Sequence, residues 1–168
     1  MACNASRSAV TSGVPSAQLT DMFVDLNRVH EHLVALVDAR LAVDCGLTLG
    51  RFEVLSVIAR HGACRVNDIA DELGITWGGT SKIVDRLEAA CLCERRPNPH
   101  DGRSSLIEVT AAGRRSLTRA AKAMNDELER LIGPVLNARA LAQFSSACRT
   151  LRNASCGAAE NVAAAQKA

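Results

Sequence analysis

Apolar side chains recur every three or four residues along most of the chain, the spacing that gathers them on one face of a helix. From about Ser16 to Asp44 the stripe comprises Leu19, Met22, Phe23, Leu26, His30, Leu33, Val34, Val37 and Leu41, and Gly46 ends it. Thr48 is placed to cap a second helix, about Leu49 to Arg60, with Phe52, Leu55, Val57 and Ile58 inward and His61-Gly62 as its stop. A shorter pattern, Val66 to Leu73, turns Ile69, Ala70 and Leu73 inward. Gly74 suits a left-handed cap, Ile75 fills the corner, and Thr76 caps the next helix, whose stripe is Ile83, Val84, Leu87 and Ala90. Two helices joined by a short turn containing glycine outline a helix-turn-helix.

The pattern then changes period. Leu92 to Arg96 and Ser105 to Val109 are short β-compatible runs separated by Pro97-Asn98-Pro99-His100-Asp101-Gly102-Arg103-Ser104, a string of turn formers. They predict a hairpin with a long basic tip, and a helix-turn-helix followed at once by such a hairpin is a winged helix. Thr110 caps a long helix to about Ile132, with Leu117, Ala121, Met124, Leu128 and Leu131 at heptad-like spacing. Gly133-Pro134 breaks it, proline suiting the first turn of a last helix with Leu141, Phe144, Cys148 and Leu151 on one seam. The expected fold is therefore mainly α with a small β-hairpin wing. Residues 1–15 are expected to form a flexible leader, 48–110 the winged helix-turn-helix, and 16–47 with 111–168 a helical dimerisation region. The first helix and the two after the wing are longer than a lone winged helix needs, so their seams call for a partner.

In a winged helix the second helix of the motif enters the major groove of DNA and the wing tip reaches an adjacent minor groove. That assigns the outward face of the helix to double-stranded DNA. The expected contacts are Trp77, Gly78, Gly79, Thr80, Ser81, Lys82 and Arg86, with Arg95 on the hairpin. Each has a blander alternative. Trp77 serves equally well as packing in the turn, and Gly78-Gly79 as a loose first turn, although two glycines also let backbone approach DNA closely. Asp85 and Glu88 would be repelled by phosphate, so they are expected to pair with Arg86 or Arg95.

Composition adds little and excludes some classes. The chain has 168 residues, 48% hydrophobic but only 2% aromatic, which favours an aliphatic helical core over a strand-rich sheet. A net charge of +2 does not by itself mark a nucleic-acid binder. The cations are uneven, however: Lys82, Arg86, Arg95, Arg96, Arg103, Arg114, Arg115 and Arg119 crowd one third of the chain, as a phosphate-contacting face would. No signal-peptide core or membrane-spanning run is present, so the chain is expected in the cytoplasm and off the membrane, with its seven cysteines as free thiols. Walker, dinucleotide-binding, zinc-ligand and nucleophile-elbow patterns are missing, so neither an enzyme nor a cofactor is expected.

Several runs together resemble the MarR family of bacterial transcription regulators. They are Asp68-Ile69-Ala70 with Leu73-Gly74-Ile75-Thr76, Ser81 to Glu88, Cys93 to Arg103, and Val109-Thr110-Ala111-Ala112-Gly113. The resemblance spans roughly residues 20–152 and is most specific in Asp-x-Arg followed by a strand and Val-Thr-x-x-Gly. It implies a homodimer that represses or activates genes at a palindromic operator, repression being the expected sign, and that is released by a small-molecule effector or by oxidation. It further implies that Arg103 inserts into the minor groove and that Asp101 supports the wing. It places an effector pocket between the first, second and fifth helices, where His30, Asp44 and Cys45 are the candidate lining residues.

Two departures matter. Cys91 stands where the family has glycine in left-handed geometry, so the cap is either rebuilt or strained. The sensor-cysteine position of one branch, near Leu19 to Phe23, holds no cysteine. Cys91-x-Cys93 invites a metal or thiol switch, but the two are expected to face apart, and inert buried cysteines are the commoner case. The alternatives to a ligand-released regulator are thus a thiol- or metal-responsive one of the same fold, or a sequence-blind architectural DNA-binding protein.

Overall fold

A computed structural model describes residues 15–99, 101 and 104–165. Of the expected leader only Pro15 falls among them, and His100, Gly102 and Arg103 of the wing tip lie outside them. The elements follow in the order α1 (Ser16–Cys45), α2 (Leu49–His61), β1 (Ala63–Cys64), α3 (Val66–Leu73), α4 (Trp77–Ala89), β2 (Cys93–Pro97), β3 (Ser105–Val109), α5 (Ala111–Ile132) and α6 (Ala138–Ala165).

Local chemistry sets most of these boundaries. Three threonines cap three helices by accepting a backbone N–H: Thr48 from Arg51, Thr76 from Gly79, and Thr110 from Gly113. Gly46 and Gly74 close α1 and α3 in the left-handed conformation, at φ 67° and 65°. Asp38 of α1 adds a cap from outside the helix it serves, its Oδ1 accepting the N–H of Leu49, the first residue of α2, at 2.6 Å.

The core lies where the short helices cross. Leu55 and Ile58 of α2, Ile69 of α3, Val84 and Leu87 of α4 and Ile107 of β3 are fully buried, joined by Leu41 from α1 and Ala120 from α5. Each large aliphatic side chain removed from water stabilises this head by roughly 1.5–3 kcal/mol. The sheet is antiparallel, in the order β1-β3-β2, with Arg95 opposite Ile107 and Cys64 pairing the other side of that same residue. Strand β1 was not expected from the sequence. The last helix also differs: Pro134 lies in the turn, and α6 begins at Ala138 with Asn137 Oδ1 accepting the N–H of Ala140.

The long helices are bare along much of their length. On α1 only Val37 and Leu41 are buried, while Leu19, Met22, Phe23, Leu26 and Val29 are exposed, Phe23 at 60%. On α6 Leu141, Phe144 and Leu151 are exposed as well. Among the described residues, no helix is long and apolar enough to cross a membrane.

Candidate nucleic-acid interface

Helix α4 is docked by Thr80, Val84 and Leu87, all with no exposed surface. Thr80 therefore corrects one expectation. It lies four residues before Val84, on the buried stripe, and its hydroxyl donates to Thr76 O at 3.0 Å instead of facing outward. The opposite face carries Trp77, Gly78, Gly79, Lys82 and Arg86, all exposed, with Ser81 half-buried. Trp77 is 60% exposed, too bare for the packing role that was its alternative.

The two glycines differ. A methyl group built on Gly78 meets nothing within 4 Å, whereas one on Gly79 lies 3.1 Å from Thr76 Oγ1, the atom that caps the helix. Gly79 thus has a local reason to be glycine. Gly78 has none among the described residues.

Arg95 is engaged within the chain. Its guanidinium donates to Glu88 and, at 2.6 Å, to Asp85, while its backbone N–H donates to Glu88 Oε1 at 3.1 Å. The carboxylates expected to pair with Arg86 or Arg95 both go to Arg95, because β2 passes alongside the face on which residues three apart in α4 sit together. Arg96 is likewise held by Glu94 and Glu108, and Arg114 Nη1 donates to Val109 O. The crowd of cations is therefore partly internal bracing, and on α4 it leaves Lys82 and Arg86 without an ion pair among the described residues.

Between the starts of α3 and α4 and the wing lies a cleft of about 380 Å³, lined by Arg65, Asn67, Trp77, Ser81, Arg95 and Ser104 among others. Arg65 and Asn67 escaped the sequence reading. Their signal was present, since Arg65 immediately precedes the first helix of the motif, where a helix N-terminus and a cation together favour phosphate. The wing is closed by Asn98, itself buried, whose Nδ2 donates to Ser104 Oγ at 2.9 Å and whose N–H donates to Ser104 O. Asp101 joins through its backbone, donating to Asn98 O and accepting from the N–H and hydroxyl of Ser104.

The residues proposed for an effector pocket do not converge. His30 and Asp44 sit on one unbroken helix fourteen positions apart, about 21 Å along its axis. His30 is exposed, and Asp44 pairs with Arg40 at 2.6 Å. Only Cys45 lines a cavity, about 520 Å³, with Leu47, Leu92, Arg115 and Arg119.

The cysteines divide by burial. Cys91 is exposed at φ 57°, the strained left-handed option for the position where glycine was expected. Cys93 is buried and its thiol points at Val84 O. Two residues apart on a strand would share a face. These part because Cys91 precedes the strand, in the turn. Burial pushes the Cys64 and Cys93 thiols up to about 11, helped at Cys64 by Asp68 and Glu72 and at Cys93 by Glu88. Glu72 ties α3 to α2 by accepting from His61 and Arg60, and those hydrogen bonds hold its carboxyl below the usual range.

A docked helix with a bare polar face, a preceding helix and an appended hairpin define a winged helix-turn-helix protein. Residues 46–104 match the family model described as "MarR family". An uncharacterized protein of Mycobacterium tuberculosis, Rv2011c, is 33% identical over 92 residues, 53% of this chain and 64% of that one. The matched stretches cover 40 to 64% of the length of such curated relatives. Among solved structures, the transcriptional repressor CouR bound to a 23-mer DNA duplex is 25% identical with a TM-score of 0.73, over 84% of this chain and 99% of that one. Sco3205 of Streptomyces coelicolor, a MarR family transcriptional regulator in complex with DNA, shares the fold at a TM-score of 0.75 and 20% identity, over 87% and 92%.

Proposed function

We propose that the chain is a homodimeric transcriptional regulator, acting as a repressor in the cytoplasm, that reads a palindromic DNA operator and is released by a small-molecule effector. The observation that carries this reading is the bare face of α4: Trp77, Gly78, Ser81, Lys82 and Arg86 project from a helix whose other side is fully docked. Such a helix fits the major groove, with Gly78 allowing close approach, Lys82 and Arg86 meeting phosphate or guanine edges, and Trp77 contacting sugar or thymine methyl. Arg103, which lies outside the described residues, is assigned to the neighbouring minor groove by the family resemblance alone, and Arg65 and Asn67 add contacts from the cleft. Solved relatives of this fold hold DNA, CouR on a 23-mer duplex among them.

What supports dimerisation is the apolar surface that α1 and α6 leave in water, larger than scattered single residues would explain. A second copy burying it would set two reading helices about one DNA turn, roughly 34 Å, apart. The effector remains unidentified by chemistry, since His30, Asp44 and Cys45 are not gathered in one place.

The test is selection of bound duplexes from a random pool by the purified full chain, followed by sedimentation and competition. A palindromic site bound at least about 10³-fold more tightly than random duplex, by a dimer, is the expected result. Equal affinity for random DNA would convert the reading to a sequence-blind architectural protein.

A further inference from the structure

The head joins the long helices at two places, and they are built differently. At the second, β3 runs into α5, and the joint is fixed by Thr110, which donates to Leu92 O through its N–H and to Cys91 O through its hydroxyl. At the first, α1 meets α2 through Gly46-Leu47-Thr48, with Gly46 left-handed. The linker is held to α1 by Gly46 N–H donating to Ala42 O and Leu47 N–H donating to Leu41 O, and to the core by the buried Leu47, so what remains to be set is how the start of α2 is tied back to α1. Thr48 caps α2 only through a long bond to Arg51, 3.4 Å. The tighter bond comes from Asp38, which sits between the bare part of α1 and the buried Leu41, and accepts the N–H of Leu49 at 2.6 Å. An acceptor carboxylate at a helix N-terminus is favoured by both hydrogen bonding and the helix dipole.

We propose that Asp38 is a positioning residue that fixes the angle between α1 and the DNA-binding head, and so sets which half-site spacing the dimer accepts. The inference rests on the dimeric operator-binding function proposed above. Its leverage is geometric. From Asp38 back to Ser16 is 22 residues of α1, a lever of about 33 Å at 1.5 Å per residue. A tilt of about 10° at the fulcrum displaces the far end by roughly 6 Å, nearly two base-pair steps where ten pairs span about 34 Å. A tilt of that size on loss of the Asp38 bond would blur spacing without touching any DNA contact.

The experiment measures affinity of the full chain for operators whose half-sites are moved apart or together by one or two base pairs. The wild type is expected to lose at least about tenfold per base pair of change. Asp38→Ala is expected to flatten that profile to within about threefold while dimer mass and affinity for an isolated half-site stay unchanged. Asp38→Asn, which keeps an acceptor oxygen, is expected to restore the steep profile. Should Asp38→Ala fail to fold, Leu49→Pro removes the same bond from the donor side at a helix position where proline is tolerated. It is expected to flatten the profile likewise. A purely stabilising role would lower the melting temperature of these variants and leave the spacing profile as steep as before, and that result overturns the proposal alone. A wild type indifferent to spacing overturns the dimeric reading and this proposal with it.

Discussion

Gly113 is the position where the structure forbids a side chain most firmly. A Cβ there would lie 2.0 Å from Leu92 O and 2.7 Å from Val109 Cγ1, although the residue sits in the first turn of α5. An alanine must therefore push α5 away from Leu92 by more than an ångström, and both close neighbours belong to the short sheet or its approach. That movement pulls on the bonds of Thr110 to Leu92 O, at 3.1 and 3.2 Å, and to Cys91 O, at 2.7 Å. Two or three hydrogen bonds at about 0.5–1.5 kcal/mol each, with overpacking of about 1–3 kcal/mol, oppose a helix-propensity gain of about 1 kcal/mol. The net expectation for Gly113→Ala is destabilisation by about 1–6 kcal/mol. Equilibrium unfolding in guanidinium, followed by circular dichroism at matched protein concentration, reads the difference directly. Gly78→Ala is the internal control, because its Cβ meets nothing: in the same assay it should stabilise α4 by up to about 1 kcal/mol. A Gly113→Ala variant as stable as the wild type would refute the steric account.

Lys82→Ala and Arg86→Ala are expected to weaken operator binding, and whichever contacts phosphate should also reduce the salt slope by about 1; unchanged affinity in both variants would count against α4 as the reading helix. At Cys91 glycine relieves left-handed strain of about 1–2 kcal/mol but loosens the unfolded chain by about 0.4–1 kcal/mol. Cys91→Gly should thus raise the melting temperature slightly and Cys91→Val should lower it; equal shifts would show that the backbone there is not strained. Cys64 and Cys93, raised by burial from near 9 to about 11, keep their protons longer in the fold than outside it. Their contribution is complete below pH 9 and is lost as pH rises through about 11, so the unfolding midpoint should fall across that window and a flat profile would contradict it.

Features with a local cause were legible in the sequence. Thr48, Thr76 and Thr110 cap helices because a hydroxyl reaches a backbone N–H three residues on, an interaction written within four residues. Gly46 and Gly74 follow the same logic. Asp85 and Glu88 were expected to hold an arginine, and one helical turn brings both to Arg95. What was misread had a distant cause or a misleading residue type. Strand β1 has two residues and its partners, Ile107 and Glu108, are more than forty positions away, so no alternation announces it. Thr80 was turned outward because it is polar, although its spacing from Val84 and Leu87 puts it inward and the Thr76 carbonyl satisfies its hydroxyl. His30 and Asp44 looked like pocket residues only while the length of the helix between them was ignored. Asn98 was not legible because its bond to Ser104 forms only when the hairpin closes, whereas Arg65 was legible from its place just before the first helix of the motif.

Arg95 also divides the head into what can be changed and what cannot. By gripping Asp85 and Glu88 it makes helix and wing strand a single frame, and it cancels the charges that a duplex would repel. Trp77, Gly78, Lys82 and Arg86 take no part in that frame. Under the proposed function these four are the natural positions for a library that redirects the protein to a new target, since substitutions there leave the ion-paired support untouched. Randomising Asp85, Glu88 or Arg95 would instead loosen the tie between α4 and the wing strand and expose uncompensated carboxylates beside the duplex.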